Sequence, residues 1–189
     1  MTISVIVPCY NEEESLPLFY AEMEKIKPRL RDNIEYIFVN DGSQDRTLEV
    51  LHELNMIDPN AHFISFSRNF GKEAALYAGL QHARGELVTV MDVDLQDPPE
   101  LLVEMKTMLD EQKDLDCVGT RRTSREGEPP IRSFFANLFY KLINKISQVE
   151  MVDGARDFRL MRRPMVDAIL EVSEYNRFSK GIFAWVGFK

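Results

Sequence analysis

The chain has 189 residues, 44% of them hydrophobic and 29% charged, enough for one packed domain and unlike a disordered or low-complexity segment. Its 23 basic and 31 acidic residues give a net charge of −8, which disfavours a general nucleic-acid binder, because such proteins cluster cations to displace counterions. No stretch reaches the ~18 apolar residues of a membrane span, and MTISVIVPCYNEEE lacks the basic start of a signal peptide.

Ile3–Val7 reads as a buried strand and residues 11–30 as a helix, with Leu16, Phe19, Tyr20, Met23, Ile26 and Leu30 on one face. Asn11 and Glu14 have the spacing of an N-cap and its reciprocal glutamate. Cys9 sits in the first apolar run and Cys117 in a later one. With His52, His62 and His82 scattered, no metal-ligand spacing appears, and both thiols are expected to be buried and reduced. Glu35–Val39 is the second strand, 47–54 a helix, His62–Phe66 the third strand, and 73–84 a helix closed by Gly85. Leu87–Met91 is the fourth strand, Pro98 and Pro99 open a helix that runs through Gln112, and 116–119 is the fifth strand. Strands recurring about every 25–30 residues with helices between predict a mostly parallel α/β sheet covered on both faces. In such sheets ligands bind at the carboxyl ends of the strands.

Beyond residue 120 the pattern changes. Arg121–Arg132 is basic, broken by Gly and Pro, and reads as a loop. The run 131–146 repeats apolar residues at helical spacing, with Phe134, Phe135 and Phe139 on one face and Arg132, Lys141 and Lys145 flanking it. It suits either the core or a membrane interface. Residues 157–161 form a short strand candidate and 164–172 a helix. GIFAWVGFK ends the chain in an apolar, aromatic run without a terminating turn, as a fragment of a longer protein would.

The strand ends are acidic. Strand two runs into Asn40-Asp41-Gly42, and strand four into Asp92-Val93-Asp94-Leu95-Gln96-Asp97. Two carboxylates two apart in extended chain point to one side, and they repel unless a cation sits between them. Mg²⁺ and Mn²⁺ take oxygen ligands, often one or two carboxylates plus substrate phosphates, so D-x-D here suits a metal–diphosphate clamp. Alone the motif is weak, since Asp pairs are common in surface loops. The first strand-to-helix turn, Pro8-Cys9-Tyr10-Asn11-Glu12-Glu13, has no glycine, which excludes a dinucleotide-binding turn or a P-loop. Tyr10 suits stacking on a base or plain packing, and Asp41 suits either a base N–H or a helix cap.

VIVPCYNEEESL, VNDGSQDRT, RNFGKEAAL, MDVDLQDPPE and DFRLMRR, in that order, closely resemble family 2 glycosyltransferases. Within that family the match is to the polyprenyl-phosphate branch, the bactoprenol glucosyltransferases and dolichyl-phosphate mannose synthases. DLQDPPE and DFRLM are specific to the branch, whereas VIVPCYNEE is general to the family. The resemblance covers essentially the whole chain. It implies one GT-A (Rossmann-like) catalytic domain over 1–189, with a nucleotide-sugar-binding half at 1–120 and an acceptor-side half at 121–189. A C-terminal membrane region is expected to follow.

On the same resemblance, Pro8, Tyr10, Asn11, Glu12, Asp41, Lys72, Asp92, Val93 and Arg121 line the nucleotide-sugar site. Asp92, Asp94 and Gln96 hold Mg²⁺ or Mn²⁺. Asp157 is the catalytic carboxylate, with Asp94 beside it in catalysis. Arg122, Arg132 and Arg159 meet the acceptor phosphate. The implied reaction is inverting transfer of a hexose to a polyprenyl phosphate at the cytoplasmic face of the cell membrane. ISFSRNFGKEAAL favours the glucosyltransferases and hence UDP-glucose. A membrane surface is an implied partner, nucleic acid is not, and assembly into a homo-oligomer is left open. The rival readings are a non-catalytic nucleotide-sugar-binding module and a glycosyltransferase with a non-lipid acceptor. A haloacid dehalogenase-type phosphatase is disfavoured, because its D-x-D follows the first strand rather than the fourth.

Overall fold

Residues Ile3 to Val7 are all buried in the first strand, β1 (Thr2–Cys9). A strand apolar on both sides demands cover on both faces, and the rest of the chain supplies it. In the computed structural model, which describes residues 1–121, 155–172, 174 and 177–189, the order is β1, α1 (Ser15–Leu30), β2 (Asn33–Asn40), α2 (Thr47–Ile57), β3 (Ala61–Ser65), α3 (Lys72–His82), β4 (Leu87–Val90), α4 (Glu100–Glu111), β5 (Cys117–Arg121), β6 (Ala155–Arg162), α5 (Arg163–Glu171) and α6 (Ser179–Trp185). The strands form one six-stranded sheet in the order β3-β2-β1-β4-β6-β5.

β3, β2, β1 and β4 pair in parallel, as the alternation predicts, whereas β6 runs antiparallel to both β4 and β5. Val90 at the end of β4 faces Arg159. The antiparallel run therefore carries Asp157 past the end of β4, towards the turn that holds Asp92 and Asp94.

Side chains alternate across β1. Ile3, Val5 and Val7 join α1, α2 and α4 in one core layer, built on Phe19, Met23, Leu51, Leu102 and Phe158. Ile6 joins α3, α5 and α6 in the other, with Leu76, Val166, Ile169 and Phe183. In α1 the buried residues are Leu16, Phe19, Met23, Ile26 and Leu30, the helical stripe read from the sequence, and Arg31 ends the helix with a left-handed φ of 57°. Cys9 is buried and Cys117 half-buried, and both are free thiols, each pushed up from the ordinary thiol range by burial.

Three local expectations are corrected. Asn11 does not cap α1: it has a φ of 56°, and the residue before the helix is Glu14, without a side-chain cap bond. Gly85 does not close α3, which ends at His82 with Ala83 donating to the Gly79 carbonyl. A Cβ on Gly85 would meet the Thr2 carbonyl oxygen at 2.5 Å, and its N–H donates to Ser4 Oγ at 2.8 Å, so it is a glycine of close strand approach. α6 forms where the sequence showed only an apolar end. The expected loop at 121–132 lies, beyond its first residue, outside the described residues, as does the expected helix at 131–146.

α3 lies hard against β1. A Cβ on Gly79 would come within 2.3 Å of Ile6 Cγ2. Gly79→Val over-packs this contact and puts a β-branched residue in a helix. It is expected to lower unfolding stability by about 1–3 kcal/mol, read as a lower urea midpoint at unchanged slope.

Candidate active site

The carboxyl ends of β1, β2 and β4, with the segment after β3, enclose a cavity of about 300 Å³. Its lining includes Pro8, Tyr10 and Glu12 from the first turn, Asp41 after β2, Asn69, Gly71 and Lys72 before and at the start of α3, and Asp92, Val93 and Asp94 after β4. Four of these are carboxylates (Glu12, Asp41, Asp92, Asp94) and one is an ammonium (Lys72). An anion entering such a cavity needs positive charge brought with it.

The first turn is stitched to the turn after β2. The backbone N–H groups of Asn11, Glu12 and Glu13 donate to Ser43 Oγ (3.0 Å), Thr47 Oγ1 (2.8 Å) and Asp45 Oδ2 (3.2 Å). In return, Asn11 Oδ1 accepts from the Gln44 amide at 2.8 Å and Glu13 Oε2 from the Arg46 amide at 3.0 Å. These donors are spent on side chains, so this turn is no phosphate cradle. Asn11 serves the turn and is not among the residues lining the cavity, whereas Tyr10 is exposed at its rim.

Asp41 is 4% exposed, and its two oxygens accept from the amides of Phe70 (2.7 Å) and Gly71 (2.9 Å). It does not cap α2, whose N-cap is Arg46. Its job within the fold is to pin the segment that delivers Lys72. Gly42 makes the same contact from the backbone side: at a φ of 68°, a Cβ there would lie 2.3 Å from the Arg68 carbonyl carbon. Asn69 and Gly71 line the site without having been singled out in the sequence, although RNFGK carries both.

The D-x-D pair sits in a turn one residue beyond β4, not in extended chain, and Leu95 follows it with a φ of 57°. Both carboxylates nonetheless line the cavity. Asp94 Oδ1 accepts from the Gln96 amide at 3.1 Å, and the exposed Gln96 side chain is not among the lining. Arg156 Nη1 lies 2.7 Å from Asp97 Oδ1 and ties this turn to β6.

Lys72 joins the turn after β4 to β6. Its Nζ lies 2.7 Å from Asp92 Oδ1 and 3.0 Å from Asp157 Oδ2. Burial works against this charge, but the hydrogen bonds and charges of Asp92 and Asp157 outweigh it, and the ammonium is held above the ordinary lysine range. Two residues along β6, Arg159 shares the face of Asp157 but points into the protein. Its guanidinium stacks 3.9 Å over the Phe183 ring and its Nη2 donates to the Arg156 carbonyl at 2.9 Å. Arg121 closes β5 outside the cavity lining, and Arg122 and Arg132 lie outside the described residues.

The donor set fits a hard divalent cation: carboxylate oxygens only, in a place that already accommodates a cationic ammonium. Among the described residues no group of three or more His, Cys, Asp or Glu forms a complete cage. Two carboxylates would thus leave several coordination positions to ligand oxygens and water.

An α/β sheet with an acidic cavity at its strand ends suits an enzyme that takes a metal-borne anionic ligand. Residues 4–170 match the Glycosyl transferase family 2 profile, and the chain belongs to that family. It is 44% identical over 186 residues to the putative glycosyltransferase CsbB of Bacillus subtilis, covering 98% of this chain and 56% of the relative. It is 43% identical over 190 residues to the bactoprenol glucosyl transferase of Shigella phage SfX, covering 99% and 61%. The chain thus spans little more than half the length of the curated relatives it matches. Among solved structures, Staphylococcus aureus TarS 1–349 aligns with a TM-score of 0.65 at 21% identity, over all of this chain and 55% of that one. Mycobacterium tuberculosis glucosyl-3-phosphoglycerate synthase, solved with Mn²⁺, UDP and glucosyl-3-phosphoglycerate, aligns at 0.55 and 24%, over 87% and 57%. These likenesses establish the GT-A fold.

Asp41→Asn leaves one of the two amides facing an NH₂ group. It is expected to cost about 1–3 kcal/mol of stability. Hydrogen exchange at Phe70 and Gly71 is expected to accelerate more than at amides of the sheet centre.

Proposed function

We propose that this chain is the catalytic part of an inverting glycosyltransferase that moves a hexose, glucose by preference, from a UDP-sugar to a polyprenyl phosphate at the cytoplasmic face of the cell membrane. One observation carries the reading: a cavity whose carboxylates outnumber its ammonium four to one lies at the strand ends, with Asp157 brought to it by β6. Relatives named bactoprenol glucosyl transferase support the lipid acceptor and the sugar.

In this reading Asp92 and Asp94, with Gln96 nearby, hold Mg²⁺ or Mn²⁺. The bound ion supplies a charge that stabilises the leaving diphosphate. Pro8, Tyr10, Glu12, Asp41 and Val93 shape the nucleoside side, and Arg121 approaches phosphate. An acceptor phosphate oxygen displaces the nucleoside diphosphate from C1 of the sugar in one step, and C1 inverts. A phosphate monoester is largely dianionic near pH 7, with a second pKa of about 6, so little proton removal is needed. Asp157 therefore orients the acceptor and faces the positive charge that develops at the sugar. Arg122 and Arg132 are assigned to the acceptor phosphate, and 131–146 to the membrane surface, on sequence pattern and family resemblance; Arg159, expected beside them, is instead turned inward onto Phe183.

Transfer of labelled glucose from UDP-glucose to a polyprenyl phosphate with Mn²⁺ tests the reading. Asp94→Asn is expected to lose transfer and the metal dependence of UDP binding. Asp157→Asn is expected to keep UDP affinity while turnover falls about 100-fold or more. Unchanged turnover in Asp94→Asn rejects the clamp, and loss of both properties in Asp157→Asn gives that residue a folding role.

A further inference from the structure

The same ammonium that bridges Asp92 and Asp157 occupies one of the two carboxylates assigned to the metal. Lys72 Nζ is 2.7 Å from Asp92 Oδ1, within the reach that a cation at Asp92 would need. We propose that Lys72 is an internal stand-in cation: it neutralises Asp92 and Asp157 together while no divalent ion is bound, and it leaves Asp92 when one arrives. This rests on the assignment of Asp92 and Asp94 as metal ligands.

Three features of the site favour exchange over a permanent ion pair. The Lys72 and Asp92 side chains are 43% and 44% exposed, so their contact is screened by water and contributes little that a divalent ion would have to overcome. Asp157 is 20% exposed, so Lys72 keeps its better-shielded partner when it lets go of Asp92. The lysine backbone is fixed, because the preceding Gly71 amide is held by buried Asp41, while the four-carbon stem is free to swing. Of the neighbouring ionic groups, Arg156 goes to Asp97, Arg159 to the Phe183 ring, and Glu73 to the amide and hydroxyl of Ser179, while Glu12 and Asp94 line the cavity.

The consequence is coupling. A divalent ion and the Lys72 ammonium cannot both sit on Asp92 without strong like-charge repulsion. Metal arrival on the donor side therefore changes what holds Asp157 on the acceptor side. Lys72 then holds Asp157 without Asp92, and it gains a free N–H to offer an anion in the cavity.

Mn²⁺ binding without nucleotide, followed by loss of the free-ion electron paramagnetic resonance signal, tests the proposal. Lys72→Met is expected to bind Mn²⁺ about fivefold more tightly than wild type. Lys72→Arg should stay within about threefold. Arg156→Met, which removes a nearby charge not on the D-x-D pair, should stay within about twofold. A folded Lys72→Met with unchanged or weaker Mn²⁺ affinity overturns the stand-in role, as does an Arg156→Met that tightens binding equally. Asp92→Asn separates the two levels: wild-type Mn²⁺ binding there overturns the clamp itself, whereas lost binding beside an unaffected Lys72→Met overturns only the role of Lys72. In the wild-type chain, the ¹⁵Nζ resonance of Lys72, assigned through Lys72→Arg, is expected to shift on Mg²⁺ addition. A resonance unmoved at saturating Mg²⁺ contradicts the proposal.

Discussion

Carboxylates gathered at one edge of a parallel sheet must be neutralised, and the site is organised around that constraint. Glu12, Asp41, Asp92 and Asp94 line one cavity, with Asp157 brought beside it. The fold neutralises them in three ways. Buried Asp41 accepts two backbone amides. Asp97 takes Arg156. Asp92 and Asp157 share Lys72. Asp94 is exposed, and with one backbone donor at 3.1 Å it keeps most of its lone pairs for a ligand.

The antiparallel strand β6 makes this arrangement possible. A purely parallel continuation would have placed residue 157 at the opposite end of its strand. Inserted between β4 and β5 and running backwards, β6 delivers Asp157 to the D-x-D turn, while Leu160 and Phe158 anchor it in the core. Glu73 on α3 then fixes the start of α6 through Ser179, and α6 brings Phe183 over Arg159. Residues before 121 and after 154 are thus interleaved within a single sheet.

Much of this was legible in the amino-acid pattern, because βαβ alternation and strand-end chemistry are local signals. ISVIV, EYIFV and LVTV announce strands buried on both faces, and the stripe from Leu16 to Leu30 announces α1. What escaped depends on neighbours far along the chain. Asn11 has a capping residue's spacing, but the Gln44 amide, 33 residues away, takes its side chain. Gly85 looks like a helix stop, yet it is required because Thr2 passes within reach of its missing Cβ. The strand pattern places the D-x-D pair beyond β4, but its two carboxylates share the cavity through a turn followed by left-handed Leu95, not through extended chain. Sheet order, and with it the meeting of Lys72, Asp92 and Asp157, is not written in periodicity at all.

The central claim is that Asp92 and Asp94 share a divalent ion that carries the diphosphate of a sugar nucleotide. An anomalous difference map from crystals grown with UDP and Mn²⁺ tests it most directly. The account predicts a manganese peak in contact with both carboxylates and with oxygens of the UDP diphosphate, with Lys72 withdrawn from Asp92. UDP bound in the cavity with no manganese beside those two residues would contradict it.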